Sequence, residues 1–378
     1  MDFRFTEEQE MLKKEIKRFT REKLEPIAME LDDSEETSFE LMKLLKEREL
    51  FRLLFPVEYG GLGISSVNIC IVREEFSRVC MRADGMWVQQ GLSSYPIVLF
   101  GTEAQKRKYL PPLARGDHLS SFSLTEPNAG SDVARLEMTA TLDGDVYLLN
   151  GTKTFISNPG VAEVYTVFAK TDPKAGSRGI TGFIVERSFP GFSAEKFRMT
   201  LPAPIGMIHL DNCRVPRQNV LGEVGKGMRV ALGNLNTFRT TVGAACVGMA
   251  QRGFEEAVRY AKHRVVFGQP LAEFQATQFK LADMLMQIEA ARLLVYRAAW
   301  LKDSGVTEVV KEASLAKLFA SEMAQRVVDE SLQIHGGIGL CKGLKIELLY
   351  RAVRSPRVYE GTSEIQRIVI ARQILKEM

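Results

Sequence analysis

Five short segments of this 378-residue chain carry residue types that could do chemistry. The first, Phe122-Ser-Leu124-Thr125-Glu-Pro-Asn-Ala-Gly-Ser131-Asp, joins hydroxyls to a Pro/Gly turn. Its O–H and free backbone N–H groups could meet a polar heteroaromatic ring or a phosphate, or it could be a turn between strands. The second, Asn150-Gly-Thr-Lys-Thr-Phe155-Ile-Ser157-Asn, puts Phe155 and Ser157 on one face of an expected strand. A flat ring could stack on the phenyl while the hydroxyl bonds its edge; a core Phe beside a surface Ser is the alternative. The third, His263-Arg264-Val-Val-Phe267-Gly268 with Gln275 beyond it, sets an arginine at a helix end. There it could grip a pyrophosphate by paired bonds, or simply close a helix before a glycine cap. The fourth, Gln333-Ile-His-Gly336-Gly337, permits close backbone approach to a ligand, or caps a helix. The fifth, Tyr359-Glu360-Gly361-Thr362-Ser363-Glu364-Ile-Gln366, puts a loop carboxylate just ahead of a helix for which Ser363 and Gln366 form a capping-box pattern. Glu360 is then either a solvated surface acid or the acid of a shaped site.

Other chemistries are missing. Gly336-Gly337-Ile-Gly339 follows a helix, so the dinucleotide fingerprint fails its context. Gly222 to Gly227 lacks phosphate-loop spacing, and no nucleophile-elbow Gly-x-Ser-x-Gly occurs. The four histidines stand far apart and the five cysteines include no Cys-x-x-Cys, so no metal is expected. Those cysteines read as reduced core thiols of a cytoplasmic protein.

The elements that must position these segments change character twice. Residues 1–118 show helical spacing, with a helix entry at Thr6 and stretches over 39–51, 65–78 and 102–110, the last ending at Pro111-Pro112. Residues 119–225 alternate short runs of β-formers with turns and predict an antiparallel β domain. Residues 226–378 return to long helical stretches with tight links, which predict a bundle. The fold class is therefore α+β: a helical domain, an antiparallel β domain, then a four-helix bundle. Lys+Arg (50) nearly balances Asp+Glu (47), so no global field attracts nucleic acid. No apolar run approaches the ~20 residues of a membrane span, and the acidic N-terminus is not a leader peptide.

Taken in this order, the five segments resemble the acyl-CoA dehydrogenase family over essentially the whole chain; TEPNAGSD and YEGTSEIQ are highly specific together. The resemblance implies FAD as cofactor, a coenzyme A thioester as substrate, an electron-transferring flavoprotein as electron acceptor and a homotetramer built as a dimer of dimers. By position, Phe122, Leu124, Thr125 and Ser131 would meet the flavin ring or the thioester arm. Phe155 would pack on the flavin and Ser157 would bond it near N5. Arg264, Phe267, Gln275, Gln333, Gly336 and Gly337 would hold the pyrophosphate and adenosine half from a neighbouring subunit, while Thr362 and Glu364 would touch FAD within their own chain. Glu360 matches the catalytic base. Asn236, Arg239, Ser131 and Gly361 match substrate contacts, and the Glu360 N–H would donate to the thioester oxygen. Some relatives place the base one residue before the helix arginine; Phe238 stands there, which leaves Glu360.

Four positions depart from the family pattern: Val266 for a hydroxyl, Asn236 for an aspartate, Ala352 for an aspartate, and Met199 to Gly206 for a Gly-Ile-Arg loop. They leave the acyl group and the acceptor open. Two other classes fit the same resemblance: a same-fold oxidase with another acceptor, and a non-catalytic flavin-bearing binding protein.

Overall fold

The computed structural model describes residues 4–377; the side chain of Asn236, an expected substrate contact, lies outside what is described. The elements run α1 (Glu7–Phe19), α2 (Ala28–Asp32), α3 (Phe39–Glu47), α4 (Ser66–Val79), α5 (Met81–Phe100) and α6 (Glu103–Ala114). The strands follow: β1 (Ser120–Ser123), β2 (Thr139–Asp143), β3 (Val146–Ser157), β4 (Val164–Lys170), β5 (Ile180–Glu186), β6 (Phe192–Lys196), β7 (Ile205–Pro216) and β8 (Val220–Leu221). Then come α7 (Gly227–His263), the hairpin β9 (Val265–Val266) and β10 (Gln269–Pro270), α8 (Gln275–Asp303), α9 (Val310–His335), α10 (Lys345–Ala352) and α11 (Ser363–Glu377). They form two compact units: Met1–Asp33, Ser65–Asp84 and Asn236–Met378 in one, Ser34–Ile64 and Gly85–Leu235 in the other.

In the first unit, α8 packs along α9, which also receives α10 and α11, and α4 packs on α1 and α8. Helix α7 approaches α4 so closely that a Cβ on Gly248 would fall 2.1 Å from the Glu74 carbonyl oxygen. The Thr6 entry is a full capping box with Gln9. Four of the five cysteines are buried thiols; Cys341 is exposed, on the surface turn that follows α9, and is not a core residue.

The second unit is a sheet in the order β6-β7-β3-β2-β4-β5-β8, with β1 paired to β4. Its core is Leu149, Tyr165, Val167, Phe183, Ile208 and Val215, all fully buried. Most pairs are antiparallel as the short turns require, but β1 and β2 both run parallel to β4. The long connection from Leu124 to Met138 returns the chain to its starting end before β2 begins, so three strands share one direction.

Two helices run through prolines. Helix α6 continues past Pro111-Pro112 to Ala114 instead of stopping there. The carbonyls those prolines leave unpaired belong to Arg107 and Lys108, which are exposed, so solvent can take them. In α5, Pro96 leaves the Leu92 carbonyl without its helical N–H, and Asn234 Nδ2 donates to it at 2.8 Å.

Candidate active site

The β unit brings the first two segments together. Thr154 N–H donates to the Thr125 carbonyl at 2.9 Å, and Ser121 Oγ donates to the Ser157 carbonyl at 2.7 Å. Beneath them Lys153, fully buried, donates to the Leu124 carbonyl (3.1 Å) and to Glu126 Oε1 (2.7 Å). Glu126 in turn accepts the N–H groups of Glu137 and Met138, so one buried ion pair pins the whole connection to β3. Burial draws the Lys153 ammonium down to about 8 against the opposing pull of Glu126.

Strand β3 bulges between Thr154 and Ile156. The bulge residue, Phe155, sits at φ 59° and is 59% exposed. A phenylalanine in the left-handed region is strained, and such strain is held only where surrounding structure fixes it. Opposite the bulge, Gly206 of β7 lies so close to β6 that a Cβ there would stand 1.9 Å from the Glu195 carbonyl oxygen, so this position can carry no side chain. The Phe155 ring is touched edge-on by Phe197 at 5.4 Å. Half-buried Ser157 follows two residues on, as the shared strand face requires. The atypical segment Met199 to Gly206 closes against this strand end, with Asn158 N–H donating to the Pro204 carbonyl at 2.7 Å. Of the remaining residues here, Leu124 is buried, Phe122 and Thr125 are half-buried, and Ser131 is exposed.

In the helical unit, Tyr260 stacks on His335 with centroids 4.5 Å apart. This ties the end of α7 to the end of α9, and so brings together the third and fourth segments. Arg264, Gln275, Gln333, Gly336 and Gly337 are all exposed there, and both glycines face open space. Phe267 and Gly268 form the two-residue turn of the β9–β10 hairpin, both at positive φ (49° and 85°) as a type I′ turn demands. Phe267 is 97% exposed. Val266, where a hydroxyl is the family pattern, lies half-buried in β9.

The fifth segment is held by donors from three helices. Arg239 Nε on α7 donates to the Glu360 carbonyl at 3.2 Å. Lys317 Nζ on α9 donates to the Gly361 carbonyl at 2.7 Å. Gln366 Nε2 on α11 reaches back to both carbonyls, at 3.2 and 3.0 Å. The helix entry differs from the expected box: Thr362 Oγ1 accepts the Ile365 N–H, while Ser363 Oγ donates to Glu322 at 2.6 Å. Thr362 wins because Gln366 is committed to the loop carbonyls. Glu364 is exposed, its carboxyl held low by local backbone and Thr362 hydrogen bonds.

Glu360 adopts φ 53° and Gly361 φ 93°. Carboxylate oxygen Oε2 of Glu360 is buried with no hydrogen-bond partner. Burial raises the Glu360 pKa above the usual carboxylate range, although Arg73, Arg239 and Lys317 pull the other way. Arg73 is neutralised by a buried two-point pair with Asp84, at 2.8 Å on each bond, and donates to Thr241 Oγ1 at 2.9 Å. Phe238, one residue before Arg239, is buried and apolar.

Trp87 and Gln90, both buried on α5, are engaged with backbone groups. Trp87 Nε1 donates to the Leu50 carbonyl at 2.8 Å, and Gln90 is consumed by the His118 carbonyl and the Ser120 N–H. The buried lysines 153 and 317 escaped sequence reasoning. The available signals were Lys153 in the first of two consecutive buried positions just before the bulge of β3, and Lys317 among Ala313, Ala316 and Ala320 on α9.

A helical–β–helical chain with an exposed aromatic and a serine at a strand end, and a desolvated acid in a clamped loop, has the parts that the sequence resemblance calls for. Models of the acyl-CoA dehydrogenase N-terminal, middle and C-terminal domains match residues 6–117, 121–213 and 225–375. The chain is 44% identical over 378 residues to a 3-(aryl)acrylate reductase of Clostridium sporogenes, covering 98% of this chain and all of that one. It is 41% identical to an acyl-CoA dehydrogenase of Bacillus subtilis, covering 98% of each. Among solved structures it matches butyryl-CoA dehydrogenase from Megasphaera elsdenii (39% identity, 99% and 100% coverage, TM-score 0.94). It also matches a chain solved in work on the electron-transferring flavoprotein of Acidaminococcus fermentans (38% identity, full coverage of both, TM-score 0.96). An acyl-CoA dehydrogenase of Bacillus anthracis complexed with FAD is 36% identical, with 99% of this chain and 68% of that one covered (TM-score 0.91). The chain belongs to the acyl-CoA dehydrogenase family; it is an FAD-dependent oxidoreductase. Its residues fit that cofactor: an exposed Phe155 beside Ser157 suits a flat ring, and Arg264 beside two open glycines suits a diphosphate.

Proposed function

We propose that the chain catalyses α,β-dehydrogenation of an acyl-CoA thioester to the 2-enoyl-CoA, with Glu360 removing the α proton. The observation that carries this reading is the unpartnered, buried Glu360 Oε2 on a loop whose Glu360 and Gly361 carbonyls are tied back. An α C–H next to a thioester is a very weak acid, so its base must itself be weakly acidic when protonated; desolvation supplies that. The Glu360 N–H has no acceptor among the described residues and is free to donate to the thioester oxygen as charge develops there. Arg239 holds the carbonyl of the same residue, so carboxylate and N–H are fixed as one unit. The flavin supplies the two-electron acceptor for the β hydride. Phe155 and Ser157 would bind it in the chain's own β unit, with Phe122, Leu124, Thr125 and Ser131, while Thr362 and Glu364 would do so beside the base. Gly361, Arg239 and Asn236 would meet the thioester arm.

Arg264, Phe267, Gln275, Gln333, Gly336 and Gly337 would hold the diphosphate and adenosine half of a neighbour's FAD in a homotetramer. The support is an unpartnered stripe on α8, where Phe279, Met286, Leu293 and Trp300 recur every seven residues and are all exposed. Such a stripe is the seam of a helix that packs on another chain. An electron-transferring flavoprotein in the cytoplasm would take the electrons. No described helix is long and apolar enough to cross a membrane.

The same geometry runs backwards, with protonated Glu360 delivering a proton to the α carbon of an enoyl thioester. The 44% relative named as an arylacrylate reductase favours testing that direction. Anaerobic titration of the holoenzyme with straight, branched, alicyclic, aryl and dicarboxylic acyl-CoAs should bleach the flavin with one class. The matching enoyl-CoAs should recolour the reduced enzyme. A flavin untouched by every thioester in both directions refutes the reading.

A further inference from the structure

Glu360 and Gly361 both occupy the left-handed region, which a glutamate adopts only when something holds it there. A Cβ on Gly361 would lie 2.6 Å from Gln366 Nε2, so this bend and its donors are built as one piece. Lys317 is the costly member of that piece. It is 0% exposed and makes no ion pair among the described residues; its one recorded bond is the 2.7 Å donation to the Gly361 carbonyl. Burying an ammonium without a contacting carboxylate is expensive, and a leucine would serve the packing of α9 better.

We propose that Lys317 is a positioning residue for the base: its ammonium fixes the Gly361 carbonyl and so keeps the bend from which the Glu360 carboxylate is aimed. This rests on Glu360 being the base. Lys317 acts through the loop and touches no reacting atom. Its charge has a second consequence. The groups facing Glu360 are Arg73 on α4, Asp84 on α5, Arg239 on α7, Lys317 on α9 and Tyr359 in the loop. Those facing Lys317 are Cys246 and Arg239 on α7, Glu322 on α9 and Glu360 itself. Lys317 pulls the Glu360 pKa down, so losing its charge moves the acid limb of the rate profile to higher pH.

Lys317→Met and Lys317→Gln separate the two effects, because Gln removes the charge but keeps a donor. In the holoenzyme, Lys317→Met should slow flavin reduction by a good acyl-CoA roughly 10- to 100-fold, with thioester affinity little changed, the scale of a base displaced by about 1 Å. Lys317→Gln should recover most of that rate, and both variants should show the raised acid limb. In the substrate-free holoenzyme, amide hydrogen exchange over residues 358–362 should speed up in Lys317→Met and not in Lys317→Gln. If Lys317→Met does not load FAD, Gln366→Met removes the other donor to the same carbonyl and carries the same expectation. Wild-type rate and exchange in Lys317→Met, or a Gln variant as slow as the Met variant, overturns the proposal. A wild-type flavin that no thioester reduces refutes the reaction instead, and the exchange measurement still decides the clamp.

Discussion

Replacing Glu360 by Gln keeps the shape of the side chain and removes its basic oxygen. A positioned general base contributes about 10²- to 10⁴-fold, and the surroundings decide where in that range the loss falls. Among the described groups that act most on Glu360 the other carboxylate is Asp84, and it is locked to Arg73 by two 2.8 Å bonds. It cannot take over, so the loss belongs at or beyond the upper end; ~10⁴ corresponds to about 5.5 kcal/mol of barrier. FAD content should be unchanged, because the side chains assigned to the ring lie elsewhere. The stability effect runs the other way. Glu360 has a folded-state pKa above its unfolded value. Its contribution is fully present below the unfolded value and is lost as pH rises through the folded one. Gln carries no such loss, so the variant should melt at or above the wild-type temperature near neutral pH, with the two converging in acid. Anaerobic rapid mixing with a reactive acyl-CoA should then show ligand binding without bleaching. A Gln variant that reduces its flavin at near wild-type rate would show that Glu360 is not the base.

Arg264→Ala should lower FAD occupancy, read as the ratio of flavin to protein absorbance, while the far-ultraviolet circular dichroism stays the same. Equal occupancy in the two proteins removes Arg264 from the cofactor site. Leu293→Asp, in the middle of the exposed α8 stripe, should shift the light-scattering mass from tetramer to a smaller species and release FAD with it. A tetramer that survives the charge places the subunit contact on another face.

Periodicity located the helices and strands because their apolar spacing reports burial directly. It went wrong where one local bond outvoted a pattern. Helix α6 ran through Pro111-Pro112 since the freed carbonyls face water. Thr362 capped α11 because Gln366 turned back to the loop. The parallel pairs of β4 were invisible because direction depends on where a connection returns, which no window of residues contains. Among the segments with chemistry, residue types singled out Phe155, Ser157 and Glu360 as candidates, but the strained backbones of Phe155 and Glu360 could not be read: nothing in a phenylalanine signals a bulge.

Two buried lysines hold the two loops, and their different counterions assign them different roles. Lys153 holds the Leu124 carbonyl and contacts Glu126 at 2.7 Å, so its charge is balanced in place. Lys317 holds the Gly361 carbonyl and has no carboxylate in contact among the described residues; Glu360 is among the acidic groups it faces. Removing Lys153 therefore strands Glu126, a buried carboxylate with two backbone N–H donors left, and should cost stability: about 3–5 kcal/mol for Lys153→Met, the range for breaking a buried pair. The double variant Lys153→Met/Glu126→Gln should recover a large part, because a neutral amide side chain needs no counterion. Urea unfolding of both variants against wild type measures this. A single variant within about 1 kcal/mol of wild type, or a double variant less stable than the single, would mean that the pair is not what pins the Leu124–Met138 connection to the bulged strand.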